Sequence, residues 1–448
     1  MNSQPKEYIS AIQTKYKFTD VPAAFIGLVN IAIFLSITFS YSYKDLIGLA
    51  PSIGQVEQKN FIFGAFAILA SYFTPIVSLL LFRVITKPMI YFNFALLFSL
   101  LGYGMYVSLT AGYLLSFISQ LLIFVLSVTI FYKVIEDIEA VKYFIKMSCE
   151  IILSNIMCYS LCYVSCAVLI CVLHAATFGF IFLNDVLAHR NSSYYDVTVL
   201  VKCIYTVFNL SFIVFSFLWA VSTLYAKMTH QYMLNKVNKK EYHRSAMGVG
   251  LKRMVLSTGT IFIAALLSAV IFVLRQLSEN AFNREQRSRD RSILVLIVLF
   301  IASIILMLLD VVIEQLNNYC IVYNSLYGTN YVTSMKRAAD HIINTNFGFY
   351  RKICSISMFT FILAFNLLVG AGVMKVADIY MRDLTTLKTS ADYGVMSLIF
   401  LVLFMVGSLI SPIFMSTITA IEFISYGDPQ LVKKAFPICT RNIAALSY

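Results

Sequence analysis

Residues 306–341, LMLLDVVIEQLNNYCIVYNSLYGTNYVTSMKRAADH, pass from an apolar run into a cationic, amphipathic one. Asp310, Glu314 and Asn317 stand at i, i+4 and i+7, so on a helix they share one face. Ile321, Asn324 and Gly328 continue that face, and Lys336 and Arg337 follow. Upstream, Ile293–Val312 is long and apolar enough to cross a bilayer, which takes about 20 such residues. Ionisable side chains on a membrane helix are costly, so these acids are functional candidates by default.

The rest of the chain has the same character. Its 448 residues are 60% hydrophobic and 12% charged, with mean hydropathy +0.81. Soluble domains carry about a quarter charged residues. The expected fold is therefore all-α, a polytopic membrane protein. Ten spans are expected: Val21–Ser40, Phe61–Leu81, Met89–Leu109, Gly112–Phe131, Ile151–Phe182, Val197–Ala226, Met254–Leu274, Ile293–Val312, Ile353–Val373 and Gly394–Ile421. The membrane domain then covers 21–421, with a loop at 227–253 and an amphipathic linker at 318–350. A segment at 1–20 precedes it and a tail at 422–448 follows.

An even number of spans puts both termini on one side. With that side cytoplasmic, inside segments hold 22 of the 34 Lys and Arg and outside segments hold 11, while Lys202 lies within a span. Excess positive charge marks cytoplasmic loops. The net charge of +12 thus sets topology and does not point to nucleic acid. Five outside cations cluster at Arg275, Arg284, Arg287, Arg289 and Arg291, against the rule. Either that loop lies outside, or spans seven and eight do not cross fully. Asn191-Ser192-Ser193 is a glycosylation sequon in a loop placed outside.

Pro75 and Pro412 interrupt spans and are expected to kink them. The run Ile151–Phe182 is too long for one upright span and is expected to tilt or bend. Cys158, Cys162 and Cys166 form an i, i+4, i+8 stripe, read as helix packing rather than a metal site. No Walker A loop, HExxH or GxSxG sequence occurs, and no cofactor is implied. Enzymatic chemistry has little support.

The sixth span carries one aromatic face: Tyr205, Phe208, Phe212, Phe215 and Trp219, spaced i, +3, +7, +10, +14. Lipid contact or helix packing accounts for it. So would the wall of a cation site, since aromatic faces attract quaternary ammonium ions by about 0.5–2 kcal/mol each. Tyr205, Phe212 and Trp219 are the wall candidates. Asp310 and Glu314 are the candidates for charge compensation or proton linkage. The competing reading places both acids at the interface, solvated or paired to Lys336 or Arg337.

Three segments together resemble the choline transporter-like family, in its fungal branch. Lys17-Phe18-Thr19-Asp20-Val21-Pro22 is similar to that branch's K-F-x-D-V opening. Asn317 with Tyr327-Gly328-Thr329-Asn330-Tyr331-Val332-Thr333-Ser334-Met335-Lys336 is similar to the block N-x-x-A-Y…Y-G-x-x-F-x-x-S-A-K. Phe423–Pro429, FISYGDP, is similar to F-V-C-x-x-E-D-P. Cys320 and Ile321 replace the central Ala-Tyr, and Glu422 stands where an apolar residue is usual. The resemblance implies a ten-span plasma-membrane transporter with cytoplasmic termini, moving choline or a related small organic cation. Transport would be facilitated or proton-coupled, by alternating access. Membrane lipids are its surroundings, and nothing specifies an oligomer. A scramblase or head-group exporter, and a non-transporting scaffold, are the rival readings.

Overall fold

Hydropathy and helical period translate directly into the architecture. The computed structural model describes residues 17–53, 58–112, 114–136, 138–177, 197–237, 245–287, 292–344 and 390–437. Every regular element among them is a helix. In chain order they are α1 (Val21–Ile53), α2 (Gln58–Val84), α3 (Thr86–Thr110), α4 (Leu114–Glu136), α5 (Ile138–Ser154), α6 (Ile156–Thr177), α7 (Val197–Val237), α8 (Ala246–Leu256), α9 (Thr258–Arg287), α10 (Ile293–Tyr327), α11 (Tyr331–Asn344), α12 (Ser390–Gly427) and α13 (Pro429–Ala435). Seven of the described helices have segments long and apolar enough to cross a membrane. The expected ninth span, the sequon at Asn191 and the ends of the chain at 1–16 and 438–448 lie outside the described residues.

Helix α7 is the spine. It packs against α8, α9, α10 and α12. One core cluster gathers α2, α3, α5, α6 and α12 around its second half, including Tyr225, Met228 and Met233. The other gathers α1, α9, α10 and α11 around Phe212, Ile213 and Trp219. Along the outer part of α10 the side chains point away from the protein: Ile293, Leu294, Val298 and Leu308 are all exposed, as lipid contact requires.

Four sequence expectations are refined. The run Ile151–Phe182 divides at Asn155, whose side chain donates to the Ile151 carbonyl at 2.8 Å and separates α5 from α6. The segment 227–237 is the last three turns of α7 rather than loop. Its cations are structural: Lys236 pairs with Glu150 at 2.5 Å and lies 4.0 Å over the Phe436 ring. Of the five-arginine loop, Arg275, Arg284 and Arg287 are helical in α9. Helix α9 has 30 residues and α10 has 35, about 45 and 52 Å long, both beyond a hydrocarbon core of about 30 Å. They form an antiparallel pair, tied by Ser278 to Ser303 at 2.8 Å and by Phe282 to Phe300 at 6.3 Å. Finally, 318–327 complete α10 and 331–344 form the separate amphipathic helix α11, while 345–350 of the expected linker lie outside the described residues.

Helix α11 buries Tyr331, Ser334 and Ala338 and exposes Val332, Thr333, Lys336 and Arg337. That is one buried stripe at i, i+3, i+7. Gly328, at φ 76° and ψ 25°, ends α10 in the left-handed conformation that favours glycine, and its N–H donates to the Asn324 carbonyl at 2.8 Å. Asn330 then caps α11 by accepting from the Thr333 N–H at 2.9 Å.

At the start of α9 the backbone of α1 runs directly over Gly259, so a Cβ there would overlap the carbonyl oxygens of Thr19 and Asp20. Gly259→Val should lower the thermal midpoint of the detergent-solubilised protein, by roughly 1–3 kcal/mol of stability or more. Gly102→Ala, where a Cβ meets nothing within 4 Å, should leave it in place.

Candidate functional site

The three separated blocks of sequence meet at one end of the bundle. The first block supplies Asp20 at the start of α1, at φ 52°. Its Oδ2 accepts from the Tyr331 backbone N–H at 2.8 Å and from the Thr260 hydroxyl at 2.5 Å. Thr19 Oγ1 lies 2.9 Å from Thr260 Oγ1. The buried Asn324 amide donates to Thr260 Oγ1 at 3.2 Å and to the Thr329 carbonyl. The Arg253 guanidinium, from α8, donates to the Asn324 carbonyl at 2.6 Å. One network therefore holds the ends of α1, α8, α9, α10 and α11 together.

Asn317, Tyr327, Gly328, Tyr331, Ser334 and Lys336 form the second block. Asn317 donates to the Ala264 carbonyl and to Ser268, both at 3.1 Å, and accepts from the Tyr331 hydroxyl at 2.6 Å. The Tyr331 phenol is pushed above its ordinary range, chiefly by burial. Ser334 Oγ lies 2.6 Å from Thr329 Oγ1. Lys336 is exposed, so it takes no part in this packing.

The third block closes the other side of α10. Tyr319 donates to Glu422 at 3.2 Å, and His341 Nε2 lies 2.8 Å from Glu422 Oε1. Phe423 contacts the rings of Tyr319, Tyr323 and His341 at 5.8, 5.5 and 4.6 Å. Tyr327 approaches Gly427, where a Cβ would sit 3.0 Å from its hydroxyl. Asp428 caps α13 by accepting from the Leu431 N–H at 3.0 Å.

The family model described as plasma-membrane choline transporter matches residues 118–422, more than half of the chain. The chain belongs to the choline transporter family. A search among curated proteins returned no match. The family match places the α10–α11 block within the shared region, while the α1 block lies before it and Phe423–Pro429 just after it.

The wall and charge candidates are not gathered in one place. Phe212 and Trp219 are buried in the second core cluster with Ile321 and Tyr331. Phe212 packs on Phe262 at 5.6 Å, and Tyr205 meets Phe34 edge-on at 6.1 Å. The Trp219 indole N–H is buried without a hydrogen-bond partner. Asp310 is eleven residues before Ile321, about 16 Å away along the helix. Its partner is Arg275, at 2.9 Å, which also binds Glu279 at 2.8 Å. The pairing to Lys336 or Arg337 considered from sequence is replaced by this one. Glu314 points outward and is exposed.

Two features escaped the sequence. Glu422 is the one buried acid among the described residues. Lys227, expected in a loop, is 4% exposed on α7 and has no ion-pair or hydrogen-bond partner among them. Only a helical period carried past Ala226 would have signalled its burial.

Two stability measurements check these assignments. Arg275 and Asp310 are each about a third exposed, so a double-mutant cycle with Arg275→Gln and Asp310→Asn should give a coupling of roughly 0.2–1 kcal/mol. Lys227→Met should raise stability by about 1–2 kcal/mol, because it removes a buried amine that no acid compensates.

Proposed function

We propose that the protein moves choline, or a closely related small organic cation, across the plasma membrane by alternating access, with both termini in the cytoplasm. Membership of the choline transporter family carries this reading. The distribution of Lys and Arg supports the orientation, since it favours a cytoplasmic end for the three joined blocks. On that orientation, α11 lies at the inner mouth and is the moving element. It is short, amphipathic and joined to α10 through Gly328. Whether the movement is facilitated or coupled to protons turns on the polar groups it exposes.

Tyr205, Phe212 and Trp219 line the substrate path on α7 in this account. The unpartnered indole N–H of Trp219 supports the assignment, because a buried donor without an acceptor suits a ligand hydroxyl. Asp310 and Glu314 lie midway along α10 and serve charge compensation there, with Arg275 holding Asp310 in the resting arrangement.

Reconstitution tests the reading. Vesicles containing the purified protein should take up labelled choline in a saturable way, above vesicles without protein. Trp219→Ala should weaken apparent affinity by roughly tenfold, within the range of one cation–π contact. Uptake equal to that of empty vesicles would contradict transport; saturable uptake unaffected by Trp219→Ala would remove the α7 wall alone.

A further inference from the structure

The side chain of Glu422 is 2% exposed, and its partners Tyr319 and His341 lie among aromatic rings. Its Oε1 faces His341 Nε2 at 2.8 Å, and its Oε2 accepts from the Tyr319 hydroxyl at 3.2 Å. The imidazole of His341 lies against Phe423 at 4.6 Å, Tyr426 at 5.5 Å and Tyr319 at 6.0 Å. A basic nitrogen thus sits before a carboxylate and is boxed by three rings. Carboxylate plus aromatic faces is the chemistry that selects organic ammonium ions, because ring faces attract a diffuse positive charge and the acid supplies the counter-charge.

The position of His341 matters as much as its chemistry. It rides on α11, whereas Glu422, Phe423 and Tyr426 belong to α12 and Tyr319 belongs to α10. If α11 turns about Gly328, it withdraws the imidazole and leaves the other members in place. The pair has no clear purpose as a stabiliser, because a buried polar or ionic pair gains little over well-packed apolar side chains. A Leu or Met at position 422 would satisfy packing among these rings.

We propose that Glu422 binds the ammonium group of the transported cation in place of His341, with Tyr319, Phe423 and Tyr426 as its aromatic walls. This deepens the transport reading above and rests on it. The site is separate from the α7 wall, since Tyr319 and Tyr323 face one core cluster while Cys320 and Ile321 face the other. It is a station at the mouth of the path, closed by the chain's own imidazole when no substrate is present. Exchange of imidazole for substrate then couples occupancy to the position of α11. The Asp20 bond to the Tyr331 N–H, at the first residue of α11, stays in place as the pivot.

The test is equilibrium binding of labelled choline to the purified full-length protein in nanodiscs, with competition by ethanolamine and by the uncharged isostere 3,3-dimethylbutanol. Glu422→Gln keeps the shape and hydrogen-bonding capacity and removes the charge. It should weaken choline binding on the order of tenfold or more, while Glu422→Asp loses less. His341→Ala should tighten binding several-fold, because the competitor is gone. 3,3-Dimethylbutanol should compete poorly with the wild type and no worse with Glu422→Gln. If Glu422→Gln fails to fold, the opposite shifts of Glu422→Asp and His341→Ala still decide. Wild-type binding unchanged by Glu422→Gln, or weakened equally by His341→Ala, would make the pair a structural latch and overturn the site while leaving transport standing. Absence of saturable binding of both choline and ethanolamine to the wild type would overturn the transport reading, and this site with it.

Discussion

The carboxylate of Asp20 accepts two hydrogen bonds, one from the Thr260 hydroxyl on α9 and one from the first backbone N–H of α11. Polar groups inside a membrane protein must find partners within the protein, because lipid offers none. Around Asp20 that requirement is met by residues drawn from five helices. The Asn324 amide shares Thr260 with it, and Arg253 closes the end of α10 by taking the Asn324 carbonyl. The close approach of α1 over Gly259 follows from the same contact. Removing Asp20 would leave a hydroxyl and a backbone N–H to be satisfied some other way at the junction of α1, α9 and α11.

This junction divides the packing around α10 in two. On one side of α10 the packing is tight and directional, with Asn317 joined to both α9 and Tyr331. On the other side lie the rings and Glu422, the one buried acid among the described residues. Helix α11 contacts both. Its first residue is fixed by Asp20 and Asn317, and its last turn presents His341 to Glu422. A helix held firmly at one end and by one side-chain contact at the other is suited to two positions rather than a continuum, as interlocked packing favours discrete states. Under the proposed alternating access, such an element would serve as the moving part.

Much of this was legible in the chain itself. Long apolar runs became helices, because about 20 such residues fix both length and environment. The blocks holding Asp20, Asn317 and Phe423–Pro429 were conspicuous in the sequence as the segments that carry the family resemblance, but their meeting at one end of the bundle was not legible there. Partners across the fold were not legible. Asp310 finds Arg275 because α9 and α10 run antiparallel, and no local spacing reveals a partner 35 residues away. Glu422 read as a polar exception near a helix end, and its aromatic surround comes from residues up to 103 positions distant. Lys227 read as loop because hydropathy averages a cation-rich stretch, whereas burial depends on which face α7 turns to α8 and α12.

The most direct measurement is the distance between α11 and α13, the short helix that follows α12, with and without substrate. Spin labels at Ile343 and Lys434, both exposed, would report it by double electron–electron resonance on the full-length protein in nanodiscs. Saturating choline should shift the distribution to longer separations, as His341 leaves Glu422 and α11 turns about Gly328. A distribution unchanged under conditions where choline is bound would contradict the exchange of imidazole for substrate.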